Sequence, residues 1–276
     1  MKNRRAISRL TTCLMSATIF LSTLSFANAQ LKQTGQPTTA SQRVSIDRID
    51  HTRFDLLLRK YVNRDGQVNY AAWKSSTTDR QQLQNYIAEL STASTTQSSR
   101  RENQLAYWIN AYNAVTIEGI LEVYPTSSIR NHTKKLGYNI WTDLKFLVDG
   151  RELSLEDIEH KILRKMSEPR IHFAIVCASV GCPRLLNEAY VGDRLDKQLK
   201  TNTTDFFSRK QNLQLQNGHL KLSAILKWFG SDFGKTQPQQ IQYVMTYFPD
   251  GIRNELRQGE FRISFLDYDW DLNEQK

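Results

Sequence analysis

Apolar residues at helical spacing dominate the first half of the chain. Phe54, Leu57, Leu58 and Tyr61 predict a helix that ends before the turn Asn63-Arg-Asp-Gly66, and residues 67–70 then predict a short strand. Leu83, Tyr86, Ile87 and Leu90 predict a second helix. The polar run over residues 91–99 predicts a loop, and a longer helix from about Arg101 to Val123 stops at Pro125. In that helix Glu102, Ala106, Asn110 and Asn113 fall along one stripe, so a carboxylate and two amides line up among apolar neighbours. Amides facing a core need partners: either they satisfy backbone groups of a loop, or they orient a ligand or a catalytic imidazole.

The second half mixes strands and helices. Alternation over residues 144–148, the turn pair Asp149-Gly150 and then Glu152-Leu153 predict a hairpin. Ser154-Leu-Glu-Asp157 has the form of a capping box, so a helix should begin at Leu155; on it His160 and Arg164, four residues apart, share a face. The apolar run over residues 171–178 predicts a buried strand, although periodicity alone does not separate it from helix. Strand geometry would turn His172 away from Cys177. A second hairpin is signalled by Asn217-Gly218, with Ser223 capping the helix behind it, and another helix covers about residues 238–247. The closing stretch over residues 261–273 alternates like a strand and puts Asp267, Asp269 and Asp271 on one face. Together these elements predict a helix-rich α+β single domain with a small, mainly antiparallel sheet.

The amino terminus changes the picture of where the protein works. Lys2, Arg4, Arg5 and Arg9 precede an apolar stretch over residues 13–26 and a small-x-small site at Ala27-Asn-Ala29, the pattern of a cleaved export signal over residues 1–29. A flexible lead-in is expected over residues 30–45, and one domain over 46–276. The expected location is periplasmic or secreted. No later segment reaches the roughly 18 apolar residues of a membrane helix, and mean hydropathy is −0.54, so no membrane span is expected. The chain has 37 basic and 28 acidic residues; four of the basic ones lie in the leader, so 33 against 28 leave a mild +5. The basic residues are scattered apart from short clusters such as Lys134-Lys135, which argues against nucleic acid as a partner.

Candidate chemistry concentrates in one place. Of three cysteines, Cys13 lies in the leader, and Cys177 and Cys182 sit five residues apart just after His172. Cys182 follows a Gly-containing turn, where the amide dipoles of a helix start would lower a thiol pKa. The five histidines show no metal-ligand spacing, and no phosphate loop, dinucleotide fingerprint or Gly-x-Ser-x-Gly elbow occurs. Neither a metal nor another cofactor is therefore expected.

Four blocks carry a family resemblance: Tyr107-Trp-Ile-Asn-Ala-Tyr-Asn113, residues 155–164, His172-Phe-Ala-Ile-Val-Cys-Ala-Ser179 with its Gly-Cys-Pro, and Tyr268-Asp-Trp-Asp-Leu-Asn273. In this order they resemble the family called domain of unknown function 547, over roughly residues 50–273. The resemblance implies no reaction. It implies kinship with exported bacterial proteins and with carboxy-terminal domains of plant and animal proteins, some plant members having Ser where this chain has Cys182.

Three readings compete. A cysteine nucleophile would perform acyl transfer or amide hydrolysis, with His172 or His160 as base, Asp269 or Asn113 orienting the imidazole, and Glu102, Asn110, Asn113 and Arg164 orienting a ligand. Alternatively Cys177 and Cys182 form a disulfide in a scaffold, the bland expectation for two cysteines in an oxidising compartment. Redox catalysis ranks below both, because the spacing is Cys-x4-Cys and not Cys-x2-Cys. A third reading is a binding module in which Trp108, Trp141, Trp228 and Trp270 line a groove for a small molecule, peptide or glycan.

Overall fold

The computed structural model describes residues 32–133 and 138–276. The expected leader, with Cys13, and the Lys134-Lys135 cluster lie outside the described residues. The helices are α1 (Thr52–Tyr61), α2 (Tyr70–Ser75), α3 (Thr77–Leu90), α4 (Arg101–Val123), α5 (Ile140–Asp143), α6 (Leu195–Ser208), α7 (Ala224–Trp228), α8 (Gly230–Phe233), α9 (Gln237–Met245) and α10 (Asp250–Gln258). Among the described residues eight short strands complete the frame: β1 (Gln33–Gly35), β2 (Val44–Ser45), β3 (Ala93–Ser94), β4 (Lys145–Val148), β5 (Arg151–Ser154), β6 (Leu213–Gln216), β7 (His219–Leu222) and β8 (Arg262–Phe265). The protein is thus a helix-rich α+β fold, as the residue pattern predicts. Its strands are spread over three small sheets, in the orders β1-β4-β5, β2-β3 and β6-β7-β8. Both hairpins are antiparallel, and the strands added to them, β1 and β8, pair in parallel.

The local signals translate directly where backbone chemistry decides. Asp149 and Gly150 (φ 52° and 73°) and Asn217 and Gly218 (φ 51° and 66°) make the two tight turns, because both central residues of this turn need positive φ. The Ser154 hydroxyl accepts from the Asp157 amide while Asp157 Oδ2 takes the Ser154 amide at 2.9 Å, closing the predicted capping box. Beyond that cap the chain departs from a plain α-helix. Asp157–Ile162 is wound as a π-helix and Leu163–Met166 as a 3-10 turn, and the wider π winding carries Glu159 and His160.

Other expectations are corrected. Within the expected flexible lead-in, β1 pairs with β4 and β2 with β3. The polar loop over residues 91–99 is anchored, since it contains β3 and buries Ser91 and Ser94, whose side chains are hydrogen-bonded. Residues 67–70 make bridge pairs at Val68 rather than a strand. The run over residues 171–178 is buried except for half-buried Cys177 but is no strand: Pro169–Phe173 is a 3-10 turn and the rest is irregular. The closing strand ends at Phe265, beyond which Asp267, Asp269 and Asp271 are exposed.

The central element is α4, buried continuously from Leu105 to Leu121. Its Gly119 admits α5 closely, for a Cβ there would lie 2.7 Å from Ile140 Cδ1 and 2.8 Å from Leu144 Cδ2. One apolar cluster surrounds α4; a second joins Phe173, Phe206 and Phe207 to the β6-β7-β8 sheet and to residues of α7 to α10. Tyr268 packs against both clusters.

Candidate active site

Where the two clusters approach one another, a cavity of about 170 Å³ opens, walled by residues from several helices and the irregular segments between them. From α4 comes Tyr112, from α5 Trp141, from the π-helix Glu159, and from the 3-10 turn His172. Cys177, Cys182 and Pro183 form the floor; Trp228, Phe229, Tyr268 and Trp270 close the far side. Aromatic rings supply most of the surface and a few polar atoms converge on it, which is the composition of a small-molecule site.

Asn113 sets the position of the cysteine segment. Its Nδ2 donates to the Ala174 carbonyl at 3.0 Å, and its Oδ1 accepts from the Val176 amide at 2.9 Å. A buried amide thus replaces the sheet partner that this irregular segment lacks. Asn110 does the same for Tyr190, holding both its carbonyl and its amide. Both amides satisfy loop backbone, and Asn113 in doing so positions a candidate nucleophile.

After Cys177 the chain doubles back. Ala178 has φ 61°, a left-handed conformation that costs a non-glycine residue about 1–2 kcal/mol and persists only where neighbours enforce it. The enforcing neighbours are in the closing segment: the Asn273 amide donates to the Ala178 carbonyl, and the Val180 and Gly181 amides donate to the carbonyls of Asp271 and Asp269. Gly181 is required sterically, since a Cβ would sit 2.9 Å from both Asp269 N and Asp269 O.

The reversal brings the two sulfurs to 2.8 Å, a contact longer than an S–S bond of about 2.05 Å, and both cysteines are free thiols. Their surroundings differ. Tyr268 donates its hydroxyl to Cys182 Sγ at 3.1 Å and lies 3.4 Å from Cys177 Sγ; the Cys177 amide donates to Cys182 Sγ at 3.1 Å. Hydrogen bonding with Cys182, then with Tyr268 and Ser179, outweighs burial and holds the Cys177 thiol down to about 7. Burial, reinforced by the neighbouring Cys177, pushes the Cys182 thiol well up. The pair therefore divides into one thiol eased toward the thiolate and one held protonated.

Two further groups face the same cavity. Burial, and then the charge of Cys177, raises the Glu159 carboxyl to about 7, while the Tyr112 hydroxyl donates to its Oε2 at 3.4 Å. His172 donates from Nε2 to Asp232 Oδ2 at 2.8 Å, and its ring stacks on Phe229 with centroids 4.2 Å apart. Arg164 clamps the same carboxylate in bidentate fashion at 2.6 and 2.7 Å and donates from Nη1 to His160 Nδ1 at 2.9 Å. Against its own partial burial, these bonds from Arg164 and His172 hold Asp232 far below the usual carboxylate range. Burial lowers His172 despite the Asp232 carboxylate, so near neutral pH the ring is neutral.

The structure thus brings together Cys177, Cys182 and His172 at one cavity, with His160 and Arg164 behind its wall. Asn110 and Asn113 lie beneath the loops that they hold. Glu102 is exposed at the start of α4, 3.9 Å from Arg100. Asp269 does not orient an imidazole: it is exposed, its carboxylate takes the Asp271 amide, and only its main chain serves the site. Asp232 orients His172 instead, from α8, sixty residues away. Sequence reasoning misses Glu159, Asp232, Tyr112 and Tyr268. For Tyr112, Glu159 and Tyr268 a signal exists in the blocks that carry the resemblance, but nothing local marks Asp232. Trp141, Trp228 and Trp270 line the cavity as the binding reading anticipates, whereas Trp108 packs in the core against Tyr107.

Among the described residues no group of three or more His, Cys, Asp or Glu could hold a metal ion, and no helix is long and apolar enough to cross a membrane. No curated protein and no solved structure matches the chain. The family model described as protein of unknown function, DUF547, matches residues 96–207, a narrower span than the four blocks suggest. That stretch, which carries Asn113, Glu159, His172, Cys177 and Cys182 but not Asp232 or Tyr268, is similar to the family of proteins of unknown function DUF547.

Proposed function

We propose that the protein is a thiol-dependent hydrolase or acyltransferase with Cys177 as its nucleophile. The observation that carries this reading is the Cys177 sulfur, held toward the thiolate by hydrogen bonding with Cys182, Tyr268 and Ser179 on the wall of an aromatic cavity. The thiolate attacks a carbonyl carbon to form a thioester and releases an alcohol or amine. Water or a second acceptor then takes the acyl group and restores the thiol. His172, fixed by Asp232 and Arg164, forms part of the wall and keeps its own geometry rigid.

The test is intact-mass detection of an acyl adduct after mixing the reduced protein with a panel of esters and thioesters. An adduct that maps to Cys177 and vanishes in Cys177→Ser supports the reading; no adduct across the panel, with Cys177 inert to iodoacetamide at pH 7, removes it.

The 2.8 Å sulfur contact favours a second reading, in which Cys177 and Cys182 oxidise to a disulfide and the module binds a ligand at its tryptophan-lined cavity. Thiols in the protein isolated without reductant that stay blocked until reduction would support it. The basic, apolar and small-residue pattern over residues 1–29 supports export to the periplasm or medium in either case. Fractionation of cells expressing the full chain tests that location.

A further inference from the structure

A second cavity, of about 300 Å³, adjoins the first and shares three of its walls: Trp141, Glu159 and Phe229. Its remaining walls are Asn139, Thr142, Glu156 and His160, and it does not contain Cys177. One space is therefore aromatic and holds the nucleophile, the other is the more polar and lacks it, and Glu159 lines both. An apolar void of about 150 Å³ accepts benzene, so the 170 Å³ space fits an acyl group about the size of one ring.

We infer that the two spaces form one bipartite cleft for esters of a ring-sized apolar acyl group with a polar alcohol, in which Glu159 is the catalytic acid for the departing alcohol. This rests on the reading of Cys177 as acyl nucleophile. The acyl group lies against Tyr268 and Trp270, and the alcohol extends past Trp141 toward Asn139 and Thr142. As the Cys177–carbonyl bond forms and the carbon–oxygen bond breaks, the bond pair leaves with the alcohol oxygen, which takes the Glu159 proton. The resulting carboxylate then removes a proton from the water that attacks the thioester, and the thiolate departs. Burial and the nearby Cys177 keep this carboxyl protonated at higher pH than an ordinary glutamic acid, which suits an acid.

Leaving-group dependence isolates the role. p-Nitrophenyl benzoate releases a stabilised anion that needs no proton, whereas glyceryl benzoate releases an alcohol that does. With reduced full-length protein in single-turnover intact-mass kinetics, Glu159→Gln should raise the ratio of acylation rates, nitrophenyl ester to glyceryl ester, at least about 30-fold over wild type. Equal slowing with both esters overturns the assignment of Glu159. Faster acylation by nitrophenyl dodecanoate than by the benzoate overturns the assignment of the acyl space. No adduct on wild-type Cys177 from any of these esters refutes the nucleophile itself, a failure distinct from the other two. The alkylation rate of Cys177 with iodoacetamide and a thermal melt establish that Glu159→Gln is folded before the esters are compared.

Discussion

Replacing Cys182 by Ala should slow alkylation of Cys177, and replacing it by Ser should not. Cys177 is held down to about 7, against an ordinary thiol value of 9.0, with Cys182 the largest contributor. At 1.36 kcal/mol for each tenfold change in the thiolate-to-thiol ratio, the hydrogen bonds, net of burial, favour the thiolate by about 3 kcal/mol. If Cys182 supplies about half, its loss lowers the ratio roughly tenfold. At pH 7 the wild-type sulfur is about half thiolate and the Ala variant about one-tenth, so iodoacetamide should react about fivefold more slowly. A serine hydroxyl donates as the thiol does, so Cys182→Ser should stay within about twofold, consistent with the Ser that the family resemblance allows there. The assay is the pseudo-first-order rate from pH 5.5 to 9.5 under a non-thiol reductant, read by peptide mass spectrometry. An unchanged or faster rate in Cys182→Ala would refute the idea that Cys182 donates to the Cys177 thiolate.

Three other perturbations probe the scaffold. Glu159 is raised from 4.5 to about 7, so the fold favours its protonated form, and that contribution, complete below pH 4.5, is lost as pH rises through 7. Relative to wild type, Glu159→Gln should therefore gain about 2–3 kcal/mol between pH 5 and pH 8 in urea unfolding; a flat difference would mean that the carboxyl is hydrated like any surface glutamate. The groups facing it are Tyr112, Cys177, Arg164, Asp232, His160, Glu156 and His172, all retained in both proteins. Asn113→Ala should cost about 2–4 kcal/mol and slow Cys177 alkylation, because a buried carbonyl and amide lose their partner; a cost under about 1 kcal/mol by the same unfolding assay would show that water replaces it. Gly181→Ala should cost about 1–3 kcal/mol, since the new methyl meets Asp269 backbone that cannot rotate aside, and should shift Tyr268 fluorescence or Cys177 reactivity with it.

Both hairpins, the cap at Ser154 and the span of α4 were legible because each is decided within a few residues: positive φ at Asp149-Gly150 and Asn217-Gly218, a side chain closing on its own backbone, an unbroken apolar run stopped before proline. The chemistry of Cys177, Cys182 and His172 was legible as a set of residue types, since two cysteines and a histidine in eleven residues stand out in any chain. Their arrangement was not. The segment that carries them reads as a strand by composition, but no neighbouring strand accepts it, and Asn113 pairs with its backbone from another element. Cys-x4-Cys spacing separates two thiols along the chain, whereas the left-handed turn at Ala178, braced by residues 269–273, returns them to contact. Asp232 reaches His172 across sixty residues because the second apolar cluster packs α8 against the 3-10 turn, and Glu159 becomes an acid near neutrality only once Tyr112 and the aromatic walls exclude water from it. Residue types and local backbone preferences belong to the sequence by itself. Which polar groups share a dry cavity, and so which of them ionise at pH 7, was decided by the packing of the two clusters, because burial and charge proximity are properties of space and not of order along the chain.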